Sequence, residues 1–502
     1  MPVRVFDQSV AVEELGRCEL GHQARTKRLV HTAKLLAGEA AGRSLPDRLI
    51  NRADYEGALN LVNTPAVTQP LILQAHYAGT RQRMLECPGV VLNISDTTEL
   101  DYTGLKIANL GPIGNGGGRG FECHNSLAVE FATGNVLGLT CQILHVRDSD
   151  SQVQAQRLAR TGDSVRPARK KGVAGRRPDE PVATCRSRDS RESRLWVKGC
   201  EALGELPEGK LWVDVCDRAA DTFEFLQFME RNRRLYVIRS KHDRVLDQTP
   251  EAVLEVLDDR SGVRLHGWLQ SLPSVMSWSV EIAANTTQPA RVARVRMSWA
   301  AVRLKAPQTH KGEHDDQPVS AWAIRVWEPE PPPGVKEPLE WLLLTNVAIR
   351  SNEEARERVS WYEWRSVIEE FHKAQKTGMA IEQLQLQTRG GLEPVIGLLS
   401  ILAVTLVNWR QLARQPGAEI TPAHRVVSKR WVEVLSLRLY REERELSLRQ
   451  FVLGVARLGG YMNRRRDGWP GWIVLWRGLT KLLHMVDYDL ARDGEPPTSP
   501  EL

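Results

Sequence analysis

The sequence has no paired-cysteine motif. Its seven cysteines, Cys18, Cys87, Cys123, Cys141, Cys185, Cys200 and Cys216, are scattered, with no CxxC pair and no histidine at metal-ligand spacing. That excludes a zinc-finger site and a disulfide framework, and it fits a reducing, cytoplasmic setting. Long apolar runs are absent as well. The longest, Val395 to Val407 (VIGLLSILAVTLV), falls short of the roughly 18 to 20 residues that a bilayer crossing needs and reads as a buried core helix. The opening residues MPVRVFDQSVAVEELG are too polar and too acidic for a signal peptide, so no membrane partner is expected. The glycine-rich stretch TGLKIANLGPIGNGGGRG lacks the GxxxxGK[ST] pattern and opens no clear helix, and it reads as a tight connection between strands.

What remains describes a soluble, folded chain. Hydrophobic residues make up 42% and charged residues 26% of the 502 positions, close to globular averages. The length exceeds one compact core, which implies roughly two to four domains or a core with a large insertion. The net charge of +6 and the pI near 8.9 point to a polyanion partner only where the basic residues cluster.

Residues from about 12 to 75 read as helical, with Leu29, Val30, Ala33, Leu35 and Leu36 beside basic Arg25, Lys27 and Arg28. In GVVLNISDTTELDY, Val90, Leu92 and Ile94 share one strand parity that ends on Asp96, an unusual residue to finish an apolar face. FECHNSLAVEFAT and VLGLTCQILHV follow as two further strands of an antiparallel meander. Residues 150–194 are basic and poor in apolar side chains; Lys170, Lys171, Arg176 and Arg177 would either grip phosphates or keep a long loop solvated. KLWVDVCDRAADTFEFLQFMERN then repeats the earlier signature, with Leu211, Val213 and Val215 leading to Asp217 and a helix from about Thr222. RLYVIRSKH is the next strand, carrying Arg239 near its end. Alternation dominates residues 246–345, the helical pattern returns at Asn352, and a last helical region fills about 417–490.

The stretch SWYEWRSVIEEFHKAQKTG (360–378) carries the most chemistry. On one continuous helix, Tyr362, Arg365, Glu369, Lys373 and Lys376 are spaced by 3, 4, 4 and 3 and form one stripe, with Trp361, Trp364, Ile368 and Phe371 on a second. Taken alone, Glu369 could simply pair with Arg365 and Lys373. The two strand-ending aspartates weigh the other way, because a two-metal site gathers carboxylates from separate elements. Asp96, Asp217 and Glu369 are the candidates, with the neighbouring cations holding substrate phosphates.

YEWRSVIEEFHKAQK fits YxxRxxxExxxxxxK, and the chain thereby resembles the YREK group of DDE transposases from bacterial insertion sequences. The resemblance extends through ELGHQARTKRLV, ISDTTELDY, VCDRAAD, VIRSKH, EPLEWLLLT and VARLGGYM in the same order. It implies an α/β fold: an RNase H-like catalytic core with a β-rich insertion, plus helical N-terminal DNA-binding and C-terminal dimerisation regions. The corresponding parts are residues 1–75 (DNA-binding), 76–245 (core, first part), 246–345 (insertion), 346–416 (core, second part), 417–490 (dimerisation) and 491–502 (disordered tail).

The same resemblance makes Asp96, Asp217 and Glu369 a catalytic triad binding Mg²⁺, with Mn²⁺ able to substitute. It implies DNA contacts by Tyr362, Arg365, Lys373, Lys376, Arg239, Arg25 and Arg28, and by Trp341 against a flipped base. The implied activity is cut-and-paste transposition: nicking, hairpin formation and opening, then strand transfer of a transposon end into target DNA by a homodimer. Asn60 stands where relatives carry arginine, which implies a different terminal repeat. The alternatives are a catalytically silent DNA-binding relative acting as regulator or inhibitor, and a purely hydrolytic nuclease of the same core.

Overall fold

The computed structural model describes residues 8–38, 44–49, 51–114, 117–147, 191–247, 263–282, 291–308, 314–335, 338–464 and 467–492. Residues 150–190 of the basic segment, with Lys170, Lys171, Arg176 and Arg177, lie outside the described residues, as do 493–502 of the tail. The helices are α1 (Gln8–Leu15), α2 (Gln23–Gly38), α3 (Leu45–Arg48), α4 (Arg52–Val62), α5 (Gln69–Glu86), α6 (Leu195–Leu203), α7 (Phe223–Arg231), α8 (Leu265–Ser271), α9 (Asn352–Glu363), α10 (Ser366–Lys373), α11 (Arg389–Arg414), α12 (Lys429–Tyr440), α13 (Leu448–Leu458) and α14 (Trp472–Arg492). The strands are β1 (Val91–Asp101), β2 (Gly111–Ile113), β3 (Gly118–Glu130), β4 (Val136–His145), β5 (Trp212–Cys216), β6 (Leu235–Arg239), β7 (Met276–Ile282), β8 (Arg291–Leu304), β9 (Val319–Trp327) and β10 (Glu340–Thr345). The protein is therefore mixed α/β. It divides into two units: Met1–Val91, Thr97–Arg147 and Val367–Leu502 in the first, Leu92–Asp96 and Asp148–Ser366 in the second.

In the first unit β3 pairs antiparallel with both β2 and β4. The apolar run lies within α11, which at 26 residues is long and apolar enough to cross a membrane by length and composition, yet 89% of its most apolar window is buried inside the protein. A buried chain of amides fixes α11 to the strands: Gln142 Nε2 donates to Asn125 Oδ1 (2.9 Å) and to Ser400 Oγ (2.8 Å), and Gln375 Nε2 donates to the same Ser400 oxygen (2.8 Å). Such a network specifies one register because any slip leaves buried donors unpaired.

Two histidines of this unit are buried as neutral rings. His76 Nε2 accepts the Leu139 N–H (2.9 Å), which leaves Nδ1 as the donor to Glu14 (2.8 Å), so a second proton would displace the Leu139 contact. The pKa of His76 is accordingly lowered, chiefly by burial. Gly138 sits beside them at φ +146°, and a Cβ there would stand 2.1 Å from the Thr80 hydroxyl, so only glycine fits. Burial also lowers His124, to about 3 from an ordinary 6.5. Between those values the unfolded chain takes up a proton that the folded chain refuses, so stability is full above the ordinary value and falls as pH falls. From pH 7 to pH 5, His124 alone is expected to remove about 2 kcal/mol. Urea melts at the two pH values check this; the loss should shrink by that amount in His124→Gln, and an equal loss in both proteins would contradict it.

Six cysteines, Cys18, Cys87, Cys123, Cys141, Cys200 and Cys216, are free and buried, and burial pushes the thiols of Cys18, Cys123 and Cys141 up to about 12. They behave as small apolar side chains, with no disulfide among the described residues.

In the second unit the strand order is β1–β5–β6–β10–β9–β8–β7. β5 and β6 are parallel and joined through α7, whose N-terminus is capped by Thr222 Oγ1 accepting the Phe225 N–H (3.3 Å). β10 pairs antiparallel with β6 and with β9, and β9, β8 and β7 continue antiparallel. The alternating stretch RVARVR folds as expected: Ala293, Val295 and Met297 are buried, while Arg294 and Arg296 are exposed. One expectation fails here. β1 continues to Asp101, so Asp96 lies within a strand rather than at its end. The β-branched Thr97 and Thr98 keep the backbone extended beyond the apolar stretch.

Candidate nucleic-acid interface

Both aspartates in the second unit are placed by the same buried anchor. Asp214, three residues before Asp217, accepts from Asn93 Nδ2 (2.6 Å), three residues before Asp96. Arg234 holds the other Asp214 oxygen through Nε (2.9 Å) and Nη2 (2.9 Å), and its Nη1 reaches the Gly204 carbonyl (2.6 Å). The positions of Asp96 and Asp217 are thus fixed from beneath by a buried, fully bonded ion pair.

Asp217 leaves β5 half-exposed and caps a 3₁₀ turn, Arg218–Ala220, with Oδ1 accepting the Ala219 N–H (2.9 Å). The turn is pinned at its far end by Asp221, which is fully buried. The Asp221 carboxylate accepts the N–H groups of Lys241 (2.5 Å) and His242 (2.9 Å) and pairs with Arg244 (2.6 Å). That clamp ties the turn to the end of β6, where Arg239 lies.

Arg365 Nη1 donates to Asp96 Oδ2 at 2.9 Å, across 269 positions of sequence. Tyr362 packs edge-on to Trp341, with ring centroids 5.6 Å apart and planes at 69°. Burial pushes the Tyr362 phenol up; the Arg365 and Arg239 charges pull it back, and the Asp217 charge adds to the rise. The Arg239 charge acts on the Tyr362 phenol, while Arg239 donates through Nη2 to the Glu340 carbonyl (3.0 Å) and keeps a buried Nε with no partner. Six residues singled out from the sequence, Asp96, Asp217, Arg239, Trp341, Tyr362 and Arg365, are therefore linked within this unit.

The signature segment does not form one unbroken helix. α9 ends at Glu363, the Arg365 N–H closes a tight turn onto the Tyr362 carbonyl (2.9 Å), and α10 starts at Ser366. A π turn, Ala374–Gly378, follows α10 and closes with the Met379 N–H on the Ala374 carbonyl (2.7 Å). The helix expected from the sequence is interrupted at Trp364 and Arg365, and the residues of its stripe fall in two units. The apolar stripe fares better: Trp361, Ile368 and Phe371 are fully buried, and Trp364 is half-exposed.

In the first unit Glu369 is exposed on α10. Lys373 pairs with Glu370 (3.2 Å), and Lys376 pairs with Glu382 (3.4 Å). Glu370 also accepts from Arg410 (2.8 Å) and from the Trp472 indole, tying α10 to α11 and α14. Among the described residues no group of three or more His, Cys, Asp or Glu side chains is arranged to hold a metal ion. Asp96 and Asp217 nevertheless present hard carboxylate oxygens at a rigid place, which suits Mg²⁺ or Mn²⁺ in donor type. In the protein alone, Arg365 supplies the positive charge beside Asp96.

No family model matches the sequence. Among solved structures the chain is similar to a piggyBac transposase synaptic complex with hairpin DNA, at 9% identity and a TM-score of 0.31, over 99% of this chain and 84% of that one. So distant a likeness fixes neither fold family nor activity.

The two N-terminal arginines are partly occupied. Arg25 donates to the Leu20 carbonyl (2.9 Å), and Arg28 lies 3.4 Å from Asp54, which His31 also holds (2.7 Å). Lys27 and Lys34, seven positions apart on α2, are exposed along an open groove with Gln23, Thr26 and His31, and they are the more available cations there. Sequence reading also passed over Asp221, Arg244 and Arg218. VCDRAAD contains the first and last of these, beyond the point where the strand parity ends at Asp217.

Proposed function

We propose that this protein is a DNA transposase of the cut-and-paste type, with an RNase H-like core and a β-rich insertion, acting on the inverted repeats of an insertion sequence and on target DNA. The observation that supports this reading best is the linkage of Asp96–Arg365, Arg239–Tyr362 and Tyr362–Trp341 in one unit, with the Asp217 charge acting on Tyr362. Carboxylates, guanidiniums and an aromatic pair drawn from distant segments suit a site that must hold both a cation and a phosphate backbone.

Each residue has a chemical task in this reading. Arg365 and Arg239 present planar guanidiniums to successive phosphates, which lysine would do less specifically. Lys373 and Lys376 add point charges. Trp341, half-exposed and braced by Tyr362, offers an indole face against which an extruded base stacks. Asp96, Asp217 and Glu369 would hold Mg²⁺, or Mn²⁺ in its place, which when bound activates the attacking oxygen and stabilises the leaving oxygen. When Arg365 turns from Asp96 to a DNA phosphate, it exchanges one charge-assisted contact for another and frees the Asp96 carboxylate. Nicking, hairpin formation, hairpin opening and strand transfer are all in-line displacements at phosphorus, so one set of residues serves them all. Arg25 and Arg28 contact the transposon end in this reading, and the helices α12 to α14 supply the contacts of a homodimer.

The test is incubation of the protein with Mg²⁺ and DNA carrying the inverted repeats that bracket its coding sequence. Nicked, hairpin and joined products are expected from the wild type and none from Asp96→Ala. Cleavage that never yields joined products would favour a hydrolytic nuclease.

A further inference from the structure

Resting on the transposase reading, we infer that Arg218 is a further DNA-phosphate contact, forming with Arg239 and Arg365 a three-guanidinium cradle at the end of β6. Arg218 is exposed at the start of the turn that Asp217 caps, and Asp221 holds that turn against the end of β6 where Arg239 lies. Arg239 contributes a buried Nε that finds no partner. Arg365 joins them from the turn after α9.

Several other arginines of this unit are neutralised: Arg231 by Asp315 (2.6 Å), Arg234 by Asp214 (2.9 Å), Arg244 by Asp221 (2.6 Å) and Arg325 by Glu340 (2.9 Å). Among the described residues Arg218 makes no ion pair. The Arg239 guanidinium is disfavoured first by its own burial and then by the Arg218 and Arg365 charges beside it, with the Tyr362 phenol acting the other way. Asp96 offsets the Arg365 charge (2.9 Å), so the exposed Arg218 and the buried, unpartnered Nε of Arg239 are the parts of the cradle left for an anion that the free protein lacks. A DNA backbone fits, because its phosphates recur at short, regular intervals and each accepts a forked guanidinium.

The experiment measures binding of the full chain to a mixed-sequence DNA duplex by fluorescence anisotropy across a salt series, together with thermal melts. Arg218→Gln should reduce the slope of log affinity against log salt by about 0.9 and weaken binding several-fold. Its melting temperature should stay level or rise, since a repulsion is removed. Arg218→Lys should restore the slope, and Arg303→Gln, which removes an exposed arginine paired with Asp247 (3.4 Å), should leave it unchanged. A wild-type slope in Arg218→Gln, or a reduced slope accompanied by a fall in melting temperature, would overturn the inference while leaving the transposase reading in place. Absence of salt-dependent duplex binding by the wild type would instead overturn that reading.

Discussion

Asp217→Asn should lose metal-dependent DNA cleavage by on the order of a thousandfold or more, equivalent to roughly 4 kcal/mol of barrier, while keeping duplex affinity and melting temperature. Asparagine retains the Oδ1 that accepts the Ala219 N–H at 2.9 Å, so the cap of the 3₁₀ turn survives and only the charge is removed. Asp217→Ala removes the cap as well and should cost about 1 kcal/mol of stability in addition. Comparing the two variants separates the ligand role from the structural one. A cleavage rate in Asp217→Asn within tenfold of the wild type would exclude Asp217 from the reaction.

The second large effect is on stability. Asp214→Ala should destabilise the second unit by about 3 to 5 kcal/mol, because it leaves Arg234 as an uncompensated buried charge. Asp214 is 2% and Arg234 is 6% exposed, and Asn93 loses its acceptor in the same change. A chemical melt followed by tryptophan fluorescence reads this out. Trp212, buried in β5 two residues before Asp214, is a reporter within the affected strand. A change below 1 kcal/mol would mean that the Asn93–Asp214–Arg234 anchor does not hold the strands beneath Asp96 and Asp217.

Much of the architecture is legible in local pattern. The stretch from Trp212 through α7 to Arg239 follows from two short apolar runs flanking an amphipathic segment with Thr222 as its cap. The RVARVR alternation in β8 and the apolar run in α11 are equally plain, because periods of 2 and 3.6 register directly in burial. The misreadings arise where a distant partner decides. Nothing near Asp96 announces that β1 runs on to Asp101. The turn at Trp364 and Arg365 interrupts a stretch with good helical periodicity, and Arg365 there meets Asp96 from 269 positions away. Glu370 receives Lys373 together with the distant Arg410 and the Trp472 indole, a convergence that local pattern does not announce. Asp221 escaped notice because an acidic side chain is expected outside; its place inside is set by two backbone N–H groups and Arg244.

The central claim is that Asp96, Asp217 and Glu369 serve one metal-dependent phosphoryl-transfer reaction on DNA. Its most direct test is a denaturing gel of end-labelled DNA bearing the element's inverted repeats, incubated with Mg²⁺ or Mn²⁺ and with the wild type, Asp96→Ala, Asp217→Asn or Glu369→Gln. Strand cleavage and hairpin ends are expected from the wild type alone, with duplex binding retained by all three variants. Wild-type protein that binds this DNA and cuts it with neither metal would contradict the account.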